Sequence, residues 1–484
     1  MNCWNEDIVI IGAGAAGLTA ALRLKEKGIQ ACIFERSEDV GGSAHGGGGI
    51  FAVESHKANE HNYVFTRQQA FEYYMQHTSG DVDAGLVSEF INKSSELVDW
   101  MEGLGARFHS LAAYFRGAPM CWHTVKRGDP QLTDVMWKRY KELGGTVHTG
   151  YVAKRLVKNG DAVCGVVVED MGGEEITVCA KCVLLATGGY IQNADIINQY
   201  SGYKLGRELP ETLPFMRGEI RANGSGLEMA WKAGAEHGPM CISTSFGLPD
   251  PYAGPGGVEI FLGDFRQPNL LVNLNGERIG NEENFQNPGI MANLVRRQRE
   301  YCAIMIFDQN ICDYYEAHGW DHILVDMERI PGTEAAVKRV IAEGYPYLYM
   351  AESLAELCGK TGIKQGPLER TLLEYNAMCD RGADTLFYKD RKYLKKIEGP
   401  KYYAARMQLN GMMALGGLNI NRRCEVLAED RRIIPGLYAA GMDANTINGS
   451  YYSYATCGST SSFAFISGMM AADALAIELT KMKG

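Results

Sequence analysis

Residues 7–17 read Asp-Ile-Val-Ile-Ile-Gly-Ala-Gly-Ala-Ala-Gly, and the next apolar run closes on Glu35. Ile8 to Ile11 form a short β-branched run, the texture of a buried parallel strand. Gly12, Gly14 and Gly17 follow at G-x-G-x-x-G spacing, with Ala15 and Ala16 between them. The first glycine allows a tight turn, the second lets a pyrophosphate approach the backbone, and the third lets helix and strand pack closely. Leu18 to Lys27 reads as a helix stopped by Gly28. Its amino terminus offers free N–H groups and the positive dipole end to phosphates. Gln30 to Phe34 reads as the second strand, and Glu35 stands where a carboxylate accepts hydrogen bonds from an adenosine ribose. Strand, glycines, helix, strand and acid in this order point to a dinucleotide.

Two further glycine-rich segments narrow the choice. Ala186-Thr187-Gly188-Gly189 follows the apolar strand Cys182 to Leu185, and Gly436-Leu437-Tyr438-Ala439-Ala440-Gly441-Met442-Asp443 lies near the carboxyl terminus. After Glu35 the chain runs through Arg36 into Gly41-Gly42-Ser43-Ala44-His45 and the glycines 46–49, not into a second βαβ half. Together these segments resemble the two-dinucleotide-binding flavoproteins, and within them the family of fumarate reductases and 3-ketosteroid dehydrogenases. Ketosteroid and tetrahydrodaidzein-reducing members are the nearest comparisons. The resemblance covers nearly the whole chain and implies an α/β fold. A Rossmann-like FAD-binding domain is expected over 1–242 and 408–484, with an α+β capping domain inserted at 243–407. It implies FAD, held by Gly12, Gly14, Ala15, Ala16, Gly17, Glu35, Arg36, Gly42, Ser43, Gly48, Gly49, Val152, Ala186, Thr187, Gly188, Ser225, Gly441, Asp443, Ser459, Thr460 and Ser461. Asp443 matches the acid that relatives place on the flavin ribityl chain, and Ser459 to Ser462 precede a final helix expected over Phe463 to Ile477. Ser225 is a departure, because the family more often shows aspartate there. His45 lies outside the local pattern that accompanies covalent flavin, so the cofactor is expected to be non-covalent.

The chain has 484 residues, 46% apolar and 22% charged, the composition of an ordinary globular protein of two or three domains. A net charge of −10 argues against nucleic acid and anionic membrane surfaces as partners. No apolar run approaches 18 residues, so no membrane span is expected. Thirteen cysteines without a signal-peptide core lead to the expectation of a reducing cytoplasm. Cys179 and Cys182 form a lone Cys-x-x-Cys, which lacks the second pair a zinc site needs, so no metal is expected. Residues 85–105 and 130–143 carry helical periodicity, and 147–168 alternate around a turn at Asn159-Gly160-Asp161, which predicts a hairpin.

Family members that act on dicarboxylates hold them with fixed cations. Here the frame Asn275-Gly276-Glu277-Arg278-Ile279-Gly280-Asn281-Glu282 is followed by Glu283, Asn284, Phe285 and Gln286, with no arginine. The expected histidine falls at Met412 or Met413, and the carboxyl-terminal arginine is replaced within Ser450 to Gly458. Arginine is the usual bidentate partner of a carboxylate, so its loss points away from a dicarboxylate. Methionine and aromatic residues suit a bulky, planar, apolar substrate. Tyr454-Ala455-Thr456-Cys457-Gly458 resembles the ketosteroid pattern in which a tyrosine hydroxyl and a glycine N–H polarise a carbonyl. Tyr454, Tyr452 and Gly458 are thus the first catalytic candidates, followed by His123 and Arg278. The expected activity is reduction or introduction of a C=C bond in a hydrophobic ring substrate such as a steroid or isoflavonoid. A reductase of a small unsaturated acid and a non-catalytic electron carrier remain alternatives. The electron donor is open between NAD(P)H and a reduced protein partner.

Denaturing the purified protein with acid is expected to release intact FAD into the supernatant. Flavin that stays with the precipitate would show a covalent link, with His45 the first residue to examine.

Overall fold

The computed structural model describes residues 3–46, 48–126, 128–213, 222–249, 263–322 and 332–483. The chain divides into two compact units, Met1–Tyr203 with Phe215–Ser243 and Met413–Gly484, and Lys204–Pro214 with Thr244–Met412. Lys204–Pro214, assigned above to the first domain, groups with the second, where Arg207 Nε donates to Tyr301 Oη at 3.2 Å. Residues 250–257, part of a glycine- and proline-rich stretch, lie outside the described residues.

The first unit is built on an eight-stranded sheet. Its strand Cys3–Ile11 pairs in parallel with Cys32–Glu35 on one side and with Glu175–Leu185 on the other. Ile433–Ala439 joins Glu175–Leu185 in parallel, and Glu425–Leu427 closes that edge antiparallel. Ile8, Val9 and Ile10 are fully buried, and burying such a side chain stabilises by roughly 1.5–3 kcal/mol. The helix Ala15–Glu26 follows directly. A Cβ at Gly17 would lie 1.9 Å from the Gly12 carbonyl oxygen, and one at Gly12 would lie 2.3 Å from that of Ala186. Glycine spacing therefore lets turn, helix and the Ala186 loop touch.

The hairpin predicted around residues 159–161 is present as Val152–Asn159 and Ala162–Glu169, and its second strand continues antiparallel onto Glu175–Leu185. Cys179 and Cys182 lie on that last strand three residues apart, so they point to opposite faces. Both are free thiols, and the described residues include no cluster of metal-ligating side chains. The helix expected over 85–105 is two helices, Ala84–Asn92 and Ser94–Gly103. Ser94 Oγ donates to the Ile91 carbonyl at 2.8 Å and accepts the Val53 N–H at 3.2 Å, tying the break to the neighbouring strand segment.

The last helix runs Ser459–Lys483, four residues earlier than its apolar pattern indicates. Contrary to the expectation from apolar runs, Ser459–Met482 is long and apolar enough, by length and composition, to cross a membrane. Most of its apolar window is buried within the fold, 72% of it.

The second unit contains an antiparallel sheet in which Cys302–Asp308 pairs with Leu270–Val272 and with residues 402–408, and Leu348–Ala351 also pairs with the latter stretch. Its interior holds an ion cluster. Arg278 is bonded at 2.7 Å to both Glu282 and Asp384, and all three side chains are nearly inaccessible. Lys389 Nζ lies 3.4 Å from Glu282, and the Arg278 guanidinium stacks 5.2 Å from the rings of Tyr375 and Phe387. Burial alone would raise the Glu282 carboxyl, but Lys389 and Arg278 outweigh it and hold it below the usual range.

Arg278→Met leaves Glu282 and Asp384 buried without this cation, and is expected to cost roughly 3–5 kcal/mol of stability. Denaturant unfolding checks this, and an unchanged midpoint would contradict the structural role of the cluster.

Candidate flavin site and tyrosine cluster

The three glycine-rich segments come together in the first unit. Gly41 N–H donates to the Ala13 carbonyl at 3.0 Å and bridges the loop of Gly42 and Ser43 back to the G-x-G turn. Glu35 accepts the N–H groups of Ala13 at 2.7 Å and Ser37 at 2.8 Å. A carboxylate has about four lone-pair sites, so capacity remains for ribose hydroxyls. Arg36 Nη2 donates to Ser225 Oγ at 2.8 Å, at the first residue of the helix Ser225–Lys232. The serine that departs from the family's aspartate therefore still has a cationic partner. Val152 opens the hairpin next to Tyr151, whose N–H donates to the Glu35 carbonyl at 2.9 Å.

Asp443 is fully buried, and its carboxylate is committed to the second glycine-rich segment. It accepts the Thr187 N–H, the Thr187 hydroxyl at 2.9 Å and the Gly189 N–H at 2.9 Å. Burial pushes its pKa up, against the pull of these donors. These bonds make Asp443 a clamp on the loop carrying Ala186 and Gly188. Gly441 N–H donates to Ser467 Oγ at 2.8 Å, which fixes the third segment to the last helix.

The residues present fit a dinucleotide flavin. A Cβ at Gly42 would lie 3.1 Å from the Gly14 Cα, so the loop leaves the phosphate-facing turn bare backbone. Ser459 is fully buried at the start of the last helix, with its hydroxyl beside the phenols of Tyr74 and Tyr452. The first-turn N–H groups of Ser459, Thr460 and Ser461 lie at the positive end of that 25-residue helix, where an anionic group is favoured. Gly48 and Gly49 serve packing: a Cβ at Gly48 would lie 3.1 Å from the Trp122 ring, and one at Gly49 would lie 2.2 Å from the His123 carbonyl oxygen. His45 faces out, with Nδ1 3.2 Å from Asp134.

Directly before the last helix, Tyr452, Tyr454 and Leu415 form a buried cluster lined by Tyr114, Phe115, Cys241 and Met413. The rings of Tyr452 and Tyr454 meet edge-on at 5.1 Å, and Tyr114 lies 5.3 Å from Tyr454. Gly458 N–H donates to Tyr452 Oη at 2.9 Å. The amide expected to pair with Tyr454 is thus paired with Tyr452. Tyr114 and Phe115 were missed in the sequence because they lie more than 300 residues from the tyrosines they meet; their adjacent aromatic character was the one available signal.

The other two catalytic candidates have structural surroundings. Arg278 is the hub of the buried ion cluster. His123 is fully buried in a three-stranded sheet between Gly49–Phe51 and Ser110–Ala112. Ser55 Oγ and His123 Nε2 are 2.7 Å apart, and Ser55 also accepts the Ala58 N–H. Which of the two donates is set by the tautomer of the ring. Burial pushes the His123 pKa down to about 4. In the second unit, Phe285 packs edge-on against Phe246 at 5.0 Å, and Gln286 Nε2 lies 2.5 Å from His322 Nε2.

His123 carries more protons unfolded than folded between its ordinary pKa of 6.5 and about 4, so stability is lost as pH falls through that window. Chemical denaturation at about pH 7 and about pH 5 is expected to show a loss of roughly 2 kcal/mol that shrinks in His123→Gln. Equal losses in both proteins would contradict the neutral, buried state.

The profile of the FAD binding domain family matches residues 7–460. A vinyl phenol reductase of Lactiplantibacillus plantarum is 27% identical over 96% of this chain and 94% of its own length. A urocanate reductase of Eggerthella lenta is 27% identical over 90% of this chain and 70% of its own. Among solved structures, the 3-ketosteroid-Δ4-(5α)-dehydrogenase of Rhodococcus jostii superposes with a TM-score of 0.73 at 21% identity, covering 97% of both chains. That likeness speaks for the fold alone. With the glycine segments, the Asp443 clamp and the matched span together, the chain belongs to the FAD-binding family and is an FAD-dependent oxidoreductase of the class that acts on CH–CH groups.

Proposed function

We propose that the protein reduces a C=C bond conjugated to an aromatic or enone ring in a planar, largely uncharged substrate. The observation that carries this reading is the cluster of Tyr114, Phe115, Tyr452, Tyr454 and Met413 at the foot of the last helix. It offers aromatic faces and three phenols with no fixed cation among the residues that define it. Aromatic walls bind flat rings through area and offset stacking, and methionine adapts to their edges. The likeness to vinyl phenol reductase, which spans almost the whole of both chains, supports a ring-conjugated alkene. Phe285 and Gln286 occupy the stretch where relatives acting on dicarboxylates place an arginine, which counts against fumarate.

Bound FAD supplies a two-electron hydride carrier. The chain's own residues set the conditions for using it. The helix end at Ser459 favours negative charge on the cofactor ring, the aromatic cluster orders the substrate, and a tyrosine hydroxyl donates the proton. An external donor, NAD(P)H or a reduced protein, completes the cycle. Twelve described cysteines are free thiols, which suits a reducing compartment such as the cytoplasm.

Anaerobic assays with a reduced viologen as donor should compare a hydroxystyrene, a planar enone and fumarate. The ring substrates are expected to exceed fumarate in kcat/KM by roughly 10²-fold or more, since unpaired carboxylates in a partly dry site cost several kcal/mol. Comparable turnover of fumarate would overturn this reading.

A further inference from the structure

We propose that Tyr452, not Tyr454, is the proton donor, and that the Gly458 amide acts on the Tyr452 oxygen instead of on a substrate carbonyl. The inference rests on the tyrosine cluster being the substrate site. Its starting point is the bond from Gly458 N–H to Tyr452 Oη, 2.9 Å long and buried.

The direction of that N–H is fixed by the backbone. Gly458 has φ +83, and a Cβ there would lie 2.7 Å from the Ile50 carbonyl carbon and 2.8 Å from the Phe51 nitrogen. No other residue fits this conformation and this approach without displacing the backbone of the neighbouring strand. Ser462 N–H donates to the Gly458 carbonyl at 2.9 Å, so the same peptide begins the last helix. The amide is therefore a rigid donor aimed at the phenol.

An amide that donates to a phenol oxygen leaves the phenol's own proton free to point elsewhere. It also favours the anion over the neutral form, because a hydrogen bond to a charged acceptor is the stronger one. Burial, and after it the neighbouring Cys457 thiol and Tyr74 phenol, raise the Tyr452 pKa well above its ordinary value, and the hydrogen bonds of Gly458 and Ser459 work in the opposite direction. The phenol is thus protonated before the reaction and has a donor in place for the charge that proton loss creates. Tyr452 is only 8% exposed, but the cluster it belongs to borders Met413, Phe115 and Cys241, which are partly accessible.

Bound, reduced FAD would supply the hydride whose electron pair makes the first C–H bond at one alkene carbon. The neighbouring carbon takes the Tyr452 hydroxyl proton, and the former π pair forms the second C–H bond. The O–H pair stays on the Tyr452 oxygen, held by Gly458 N–H, until a proton returns from solvent. Gly458 is then a positioning residue, and the reaction needs no carbonyl on the substrate.

The test uses the FAD-loaded protein in single-turnover reoxidation with two substrates, a hydroxystyrene without a carbonyl and a planar enone. Tyr452→Phe is expected to slow both by roughly 10²–10⁴-fold with FAD content unchanged, and Tyr454→Phe to slow them by less than roughly 10-fold. A 3-fluorotyrosine placed at 452 keeps the ring and makes its phenol more acidic. It should move the basic limb of the pH–rate profile to lower pH, with the fluorine resonance of the substrate-free protein titrating at that same limb. This second variant decides the matter if Tyr452→Phe does not fold. A wild-type rate for Tyr452→Phe with the hydroxystyrene, or a fluorine resonance that does not titrate with the rate, would overturn the proposal. If neither ring substrate reoxidises the wild-type protein, the substrate assignment fails on its own. The fluorine titration, which needs no substrate, then shows whether Tyr452 is the perturbed phenol, and a resonance titrating no differently from 3-fluorotyrosine placed at 451 overturns the proposal as well.

Discussion

The Asp443 carboxylate is the contact on which the cofactor cradle depends. It sits in the interior with no exposure and takes three donors, two from Thr187 and one from Gly189. Two residues earlier, Gly441 is bonded to the last helix through Ser467. One buried acid thereby joins the loop after the strand Glu175–Leu185 to the segment that leads into the tyrosines and the last helix. Without it, two backbone N–H groups would lose their acceptor in a dry setting, at roughly 1–3 kcal/mol each. The glycine-rich cradle and the tyrosine cluster lie at the two ends of that segment, so the two share one anchor.

Local signals were legible, and long-range ones were not. The strand, the glycine turn and the helix after it are encoded within thirty residues, and the structure shows each of them. The hairpin at Val152–Glu169 was equally plain, because alternation and a turn residue suffice to define it. The break between Asn92 and Ser94 was hidden, since helical periodicity continues across it and only the contact of Ser94 with Val53 reveals it. The last helix begins at Ser459 and not at Phe463 because polar residues in a first turn look like a loop in sequence while their N–H groups make a helix start. The length of that helix also exceeded what its interrupted apolar runs indicated.

The candidate site divides along the same line. Glycine positions and Glu35 could be placed from spacing alone. Arg278 read as a catalytic candidate within a family motif, yet its partner Asp384 lies 106 residues away in the chain. His123 read as a catalytic candidate too, and its partner Ser55 lies 68 residues upstream. The choice of Tyr454 rested on a family spacing, which carries no sign of the bond between Gly458 N–H and Tyr452 Oη. In each case charge and hydrogen-bond capacity were visible in the residue type, while the partner that consumes them was set by the fold.

The proposed function requires the aromatic cluster to present a ring-conjugated alkene to the reduced cofactor. The most direct measurement is a single-turnover stoichiometry: the photoreduced protein, free of oxygen and of any other donor, mixed with a vinyl arene. Full return of the oxidised flavin spectrum together with one saturated product per flavin is expected. A flavin that stays reduced in the presence of the vinyl arene, yet is reoxidised promptly by fumarate, would contradict it.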